Sequence, residues 1–400
     1  MCLFTPKFPP LVGGAETYVH SLAKAMARFG HEVYVVTGQL PGDIKPPPDL
    51  YPGFEVLRIP YLLEFDSGRG SLKDVLREVH RAFVKIDPDI IHAHNFFCCL
   101  AASMVIERAR AKLVFTYYDT PPLTSSKFGV GALRDVNLIE AFVSFIFRRC
   151  PFEVLIALSR CYEDYALTMG VPKHKLRLVY PGVDTTIFSQ GGDGSEMKAR
   201  IGFAADDRVV CCPVRIIPRK GLLNLVCAMA ELEQEAKLFI TGGGVTPTQL
   251  DSEYYERVVA LIEALELQDR VSIGASSIVM REMPEVYAMS DLVVLPSQRE
   301  GLGLILLEAL ASGVPVVATR TSGVSEVISD GQTGMLVEPN SPFQLARAID
   351  KLLAQPRLAK QLSEKGRKLV EAKFNLDVQA RKIERIYRTL LPISERSNHR

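Results

Sequence analysis

The sequence predicts an alternating α/β protein built as two doubly wound, Rossmann-like domains with parallel sheets. Three observations carry this. Short apolar runs bounded by turn residues alternate with helical periodicity almost from end to end, the pattern of βαβ units. The alternation pauses in a polar, glycine-rich stretch, Ser189-Gln190-Gly191-Gly192-Asp193-Gly194-Ser195, and restarts at Val209. The chain has 400 residues, more than one ordinary core holds.

In the first half the strand candidates are Cys2–Thr5, Glu32–Thr37, Val56–Ile59, Ile90–Ala93, Lys112–Thr116, Val154–Ala157 and Leu176–Val179. Helical spacing covers Ala15–Phe29, Leu72–Lys85, Leu100–Ala109, Leu133–Arg149 and Cys161–Met169. The second half offers strands at Val209–Val214, Lys237–Thr241, Val271–Ile273, Leu292–Leu295, Val314–Ala318 and Gly334–Val337. The tail from Asn375 to Arg400 reads as a basic helix, with Arg381, Lys382, Arg385 and Arg388 on a solvated face. The expected domains are therefore 1–188 and 189–374, with residues 375–400 as a separate terminal helix.

Composition narrows the function. With 48% hydrophobic residues, 23% charged residues and a net charge of +1, nothing points to a nucleic-acid partner. No apolar run reaches the ~18 residues that span a bilayer. The most apolar segment, Leu138 to Leu158, is broken by Glu140, Arg148, Arg149, Pro151 and Glu153. Pro6, Pro9 and Pro10 interrupt any secretory signal. The eight cysteines, at 2, 98, 99, 150, 161, 211, 212 and 227, form no C-x-x-C pair and read as buried thiols of a reducing compartment, so a cytoplasmic location is expected. No metal site is expected, since no cysteine or carboxylate set accompanies the His92/His94 pair.

The chemistry concentrates in residues 296–318, PSQREGLGLILLEALASGVPVVA. A buried strand ends at Leu295, a turn with Gly301 and Gly303 follows, and a helix runs from near Ile305 to Gly313. Ligands in open α/β sheets sit at such strand ends. Glu300 in the turn and Glu308 in the helix can face one ligand, and the N–H groups at the helix start suit an anion such as a diphosphate. Three further strand ends offer candidate groups. Val214-Arg215-Ile216-Ile217-Pro218-Arg219-Lys220-Gly221 places two or three cations where they can neutralise a leaving group, or form a surface salt-bridge cluster. Pro9-Pro10-Leu11-Val12-Gly13-Gly14-Ala15-Glu16 can admit phosphate to helix N–H groups, or be a plain turn. The third, Leu238 to Gly244, ends in glycines.

The Glu300–Glu308 spacing is an E-x7-E motif, and the run resembles the retaining nucleotide-sugar-dependent glycosyltransferases of family 4, whose pattern is E-G-F-G-x-x-x-x-E-A-x-A-x-G-x-P-V-V-A. Leu302 replaces the Phe. Residues 214–221 resemble that family's G-R-L-x-x-x-K-G, with Val214 in place of Gly. Tyr180-Pro181-Gly182-Val183-Asp184 resembles its P-G-V-D, although Asp184 reads equally well as a turn residue. Family members usually begin several residues earlier, so either the first strand is short or the start lies late.

The resemblance implies a GT-B fold, with a ligand cleft between the domains and the terminal helix crossing back to the first. It implies transfer of a hexose from a UDP- or GDP-linked sugar, with that donor as co-substrate and no other cofactor. Glu308 would bind the ribose and Glu300 the transferred sugar. Arg215 and Lys220, with the N–H groups around Gly301, Leu302, Gly303 and Leu304, would hold the diphosphate. Gly242 would leave room for the nucleotide, and Gly13 and Gly14 would reach donor phosphate or acceptor. His94, Asn95, Tyr118 and Asp119 are the acceptor-side candidates. Family members often carry T-x-H where this chain has Thr116-Tyr117-Tyr118, and a phenol cannot carry an imidazolium charge. Packed strand-end residues are the competing reading for His94. The acceptor would be a carbohydrate, a polyol or a lipid-linked group. Phe128, Phe142, Phe145 and Phe147, with Arg148 and Arg149, leave open a peripheral contact at the inner membrane face, against ordinary core packing. Competing readings are a sugar-nucleotide epimerase of the same fold, an inactive relative, and a NAD-dependent enzyme. The last lacks a G-x-G-x-x-G after the first strand.

Overall fold

The computed structural model describes the chain apart from residues 12, 41, 43, 48, 67–69, 107–109, 119–135, 243–251, 275–277, 279 and 392–400. Asp119, Phe128, Gly243 and Gly244 lie outside the described residues. The chain divides into two compact units, Met1–Pro181 with Leu376–Arg400, and Gly182–Asn375. The division at Pro181 comes a little ahead of residue 188, because Gly182 and Val183 already belong to the second unit: the Val183 N–H donates to the Phe374 carbonyl at 2.8 Å.

In the first unit the described strands are β1 (Cys2–Phe4), β2 (Tyr34–Gly38), β3 (Glu55–Ile59), β4 (Ile90–His94), β5 (Lys112–Thr116), β6 (Val154–Ala157) and β7 (Leu176–Leu178). They form one parallel sheet in the order β3-β2-β1-β4-β5-β6-β7. Cys2 pairs with Tyr34 on one side and Ile91 on the other, so the order reverses at β1. The central strands are buried on both faces, hence their unbroken apolar runs rather than an alternation. The Leu376–Leu390 helix belongs to this unit. Its Leu376, Ala380, Ile383 and Tyr387 join the core, while Asp377 accepts from Arg28 at 2.6 Å and Glu384 pairs with His31 at 3.0 Å.

The second unit holds β8 (Val209–Arg215), β9 (Lys237–Gly242), β10 (Val271–Ile273), β11 (Leu292–Leu295), β12 (Val316–Thr319) and β13 (Met335–Val337), parallel in the order β10-β9-β8-β11-β12-β13. Its order reverses between β8 and β11. A doubly wound sheet opens its ligand crevice beyond the strand ends at such a reversal.

Several element boundaries differ from expectation, most by a residue or two, and two of the differences have a clear local reason. The helix expected from Leu100 starts at Phe96, because Asn95 caps it by accepting from the Cys98 N–H at 2.8 Å. The strand expected from Val314 starts at Val316, because the Val314 N–H closes the preceding helix onto the Ala309 carbonyl at 2.9 Å. The phenylalanine stripe divides: Phe147 is core, Phe142 is half-buried and Phe145 faces outward. The described cysteines are free thiols, all buried except the half-buried Cys161 and Cys227. No described helix is long and apolar enough to cross a membrane.

Candidate active site

The site in the second unit grows from its strand reversal. β8 ends at Arg215, and its chain turns through a short 3-10 segment, Pro218–Lys220. Beside it β11 ends at Leu295 and runs through Pro296 and Ser297 to Glu300. These two turns pack against each other. Gly221 has a φ of 69°, and a methyl group there would overlap the Pro296 carbonyl, so only glycine permits the approach. The Gln298 N–H donates to the Arg219 carbonyl at 2.9 Å, and Thr319 at the end of β12 donates its hydroxyl to the Ser297 carbonyl.

This approach brings Lys220 Nζ to 2.5 Å from Glu300 Oε2, with each side chain only 13% exposed. The Ser297 hydroxyl donates to the same oxygen at 3.2 Å. Burial acts to raise the Glu300 carboxyl, but the charges of Lys220 and Arg219 and the two hydrogen bonds hold it below the usual range. Arg215 lies near enough for its charge to act on Lys220. Arg215 is in register with Gly242 on β9, so that glycine flanks the cationic end of β8.

Gly303 begins the next helix. Its φ of 85° is a left-handed turn, and a Cβ there would crowd Leu295 Cδ2 at 2.9 Å. The helix Leu304–Ala311 follows with no side-chain cap, so its first N–H groups rely on other partners. Glu308 lies one turn in. Its Oε2 accepts from the Tyr287 hydroxyl at 2.6 Å, and burial pushes its carboxyl up to about 7 against that hydrogen bond. Glu300, Lys220 and Ser297 are therefore in direct contact, with Arg215 electrostatically coupled to them, while Glu308 has a separate partner.

Sequence reasoning missed Tyr287 and Ser297. Ser297 carries a usable signal, since it lies three residues before Glu300 in one loop. Tyr287 carries none: on a short helix, Met283–Ala288, ahead of a buried strand, it is indistinguishable from core.

The described acceptor-side candidates of the first unit, His94, Asn95 and Tyr118, all make contacts within that unit. His94 is wholly buried, its Nδ1 is 2.6 Å from the Tyr118 hydroxyl, and burial holds its imidazole neutral with the neighbouring His92 adding to the effect. The rings of His92 and His94 lie with centroids 4.1 Å apart, tilted at 34° to each other. His92 is held by the hydroxyls of Tyr387 at 2.6 Å and Thr116 at 2.8 Å, and burial lowers it to about 3. Asn95 is used as a helix cap and as a donor to Asp66 at 3.0 Å. Both nitrogens of His92 are paired within the domain, whereas His94 Nε2 is buried with no hydrogen-bond partner among the described residues. Gly13 and Gly14 open the Gly14–Arg28 helix as expected of a turn, but the Glu16 carboxylate folds back against Gly13, where an approaching phosphate would meet like charge. Asp184 accepts from the Thr186 N–H at 3.0 Å and hydroxyl at 2.6 Å, which is the turn reading.

Known proteins share both units. Residues 193–369 match the family model of "Glycosyl transferases group 1", and residues 12–187 that of "Glycosyltransferase Family 4". The chain is 26% identical to N-acetyl-alpha-D-glucosaminyl L-malate synthase of Bacillus anthracis, covering 96% of this chain and 95% of that one. It is 29% identical to D-inositol 3-phosphate glycosyltransferase of Acidothermus cellulolyticus, covering 95% and 86%. The solved sucrose-phosphate synthase of Thermosynechococcus elongatus superposes with a TM-score of 0.82 at 26% identity, over 97% of this chain and 98% of that one. Both parallel sheets are those of GT-B enzymes. With both halves matched, the chain belongs to the family 4, group 1 glycosyltransferases.

Proposed function

We propose that this enzyme is a retaining, metal-independent hexosyltransferase that uses a nucleoside-diphosphate sugar. The observation that carries the reading is the buried Lys220–Glu300 pair at the β8/β11 reversal, next to the uncapped start of the Leu304–Ala311 helix. The N–H groups of that helix start, with Arg215 and Lys220, hold the diphosphate and neutralise its charge as it leaves. Glu308 accepts from the ribose hydroxyls. Glu300 stays ionised, contacts the hexose and favours positive charge at its anomeric carbon.

A two-step retaining mechanism needs a nucleophile and an acid/base about 5 Å apart. Glu300 is already engaged by Lys220 and Ser297, which favours a front-face path. The bond from the anomeric carbon to the diphosphate oxygen breaks, and the departing phosphate oxygen takes the acceptor's hydroxyl proton. The acceptor oxygen then bonds to the same face of the sugar. The acceptor is a carbohydrate, a polyol or a lipid-linked hydroxyl compound, reached in the cytoplasm or at the inner membrane face.

The test is a panel of UDP- and GDP-hexoses with simple sugar and polyol acceptors, run with EDTA and read by proton NMR at the anomeric position. Retention of the donor's α configuration in the product, undiminished by EDTA, supports the reading. Inverted product, loss of transfer on chelation, or a glycosyl adduct trapped on Glu300 would overturn it. Conversion of the free sugar nucleotide with no acceptor would point instead to an epimerase.

A further inference from the structure

The buried hydroxyl behind Glu308 has no role in the scheme above. Tyr287 is 0% exposed and sits on the Met283–Ala288 helix, outside the glycine loop. Its ring is fixed edge-on by Phe188, with centroids 5.7 Å apart. Its hydroxyl meets Glu308 Oε2 at 2.6 Å, the ordinary length of a charge-assisted bond from a hydroxyl to a carboxylate. Burial and the Glu308 charge both push the Tyr287 phenol well above its ordinary value, so it stays protonated and donates.

We infer that Tyr287 is a positioning residue for nucleotide binding, holding the Glu308 carboxylate in the rotamer that faces the ribose hydroxyls. The inference rests on the reading of Glu308 as the ribose group. A carboxylate has four acceptor positions, and the phenol fills only one, so two ribose hydroxyls still find acceptors. Without the phenol, a glutamate with three rotatable bonds would have to be ordered by the ligand itself, at the expense of affinity. A buried carboxylate also resists ionising, and the donated hydrogen bond favours its charged form. The same contact therefore sets both the direction and the charge of the group.

The test uses the full-length protein and titration calorimetry with UDP, GDP and the 2′-deoxy and 2′,3′-dideoxy forms of each. For the nucleotide that binds, wild type is expected to lose tenfold or more when both hydroxyls are removed. Tyr287→Phe is expected to weaken the ribonucleotide three- to tenfold and to change the dideoxy form by less than twofold. On a Glu308→Ala background, Tyr287→Phe should add nothing. A merely structural tyrosine would weaken ribo and dideoxy forms alike, and that result overturns the inference, as does no change in either. Loss of all diphosphate binding in wild type would instead remove the donor site itself. Wild-type binding that ignores the ribose hydroxyls would leave that site standing and remove only the roles given to Glu308 and Tyr287.

Discussion

Lys220 Nζ and Glu300 Oε2 meet at 2.5 Å although eighty residues separate them in the chain. The contact exists because β8 and β11 are neighbours at the sheet reversal and Gly221 lets their terminal turns touch. It places a carboxylate and an ammonium together at the strand ends where, in the proposed reaction, the diphosphate leaves.

Removing one partner leaves the other charge buried. Lys220→Met should lower unfolding stability by about 3 kcal/mol, in the range for breaking a buried pair. Lys220→Met combined with Glu300→Leu should recover most of that loss while transfer stays absent. Urea melts beside a transfer assay check this, and equal instability of single and double variants would count against an ionised pair.

Glu308 gives the pH dependence. Its carboxyl is raised by burial from the ordinary 4.5 to about 7, so the folded protein holds this proton more tightly than the unfolded chain. The folded state is therefore favoured while Glu308 is protonated, and that advantage fades as pH rises from about 4.5 to about 7, by an amount on the order of 3 kcal/mol. Nucleotide binding should run the other way, strengthening between pH 6 and 8 with release of a proton, because ribose hydroxyls are accepted best by the ionised form. Glu308→Gln should flatten both curves, as read by urea titration and by calorimetry in two buffers. Unchanged curves in that variant would assign the titration elsewhere.

Gly221→Ala should act at the contact between the two turns. It combines a φ of 69° with overlap on the Pro296 carbonyl, so a stability loss above 1 kcal/mol is expected, on the order of such incompatible glycine replacements. Transfer should fall with it, since the change separates Lys220 from Glu300. Thermal melts and turnover measured together test this. Full activity in a stable variant would show that the approach is not required.

Tyr118→Phe should separate packing from chemistry in the first unit. The hydroxyl is committed to His94 at 2.6 Å, so its loss leaves a buried imidazole nitrogen unpaired, at about 1–3 kcal/mol. Turnover should stay within a few-fold. A large fall in kcat with unaltered stability would return Tyr118 to the substrate.

The strand-end motifs were legible because their chemistry is local. Glu300, Gly303 and Glu308 fall within nine residues, and the apolar runs around them fix the strand and the helix. Lys220 was readable as a cation, but not as the partner of Glu300, since only the strand order joins them. The His92–Tyr387 bond was invisible for the same reason, since it depends on a helix packed from a distant part of the chain, whereas Tyr287 was invisible because a tyrosine on a short helix before a buried strand reads as core. His94 keeps two readings in the sequence because a histidine at a strand end reads the same whether it faces a ligand or an internal tyrosine.

The most direct measurement is calorimetric titration of UDP and GDP into wild type, Glu308→Ala and Lys220→Ala. The account predicts that one of the two nucleotides binds wild type, and that either substitution weakens it at least about tenfold, the scale of lost charge-assisted hydrogen bonds. Binding of neither nucleotide, or binding indifferent to Glu308 and Lys220, would contradict the donor site assigned to the end of β8 and the Gly303 helix.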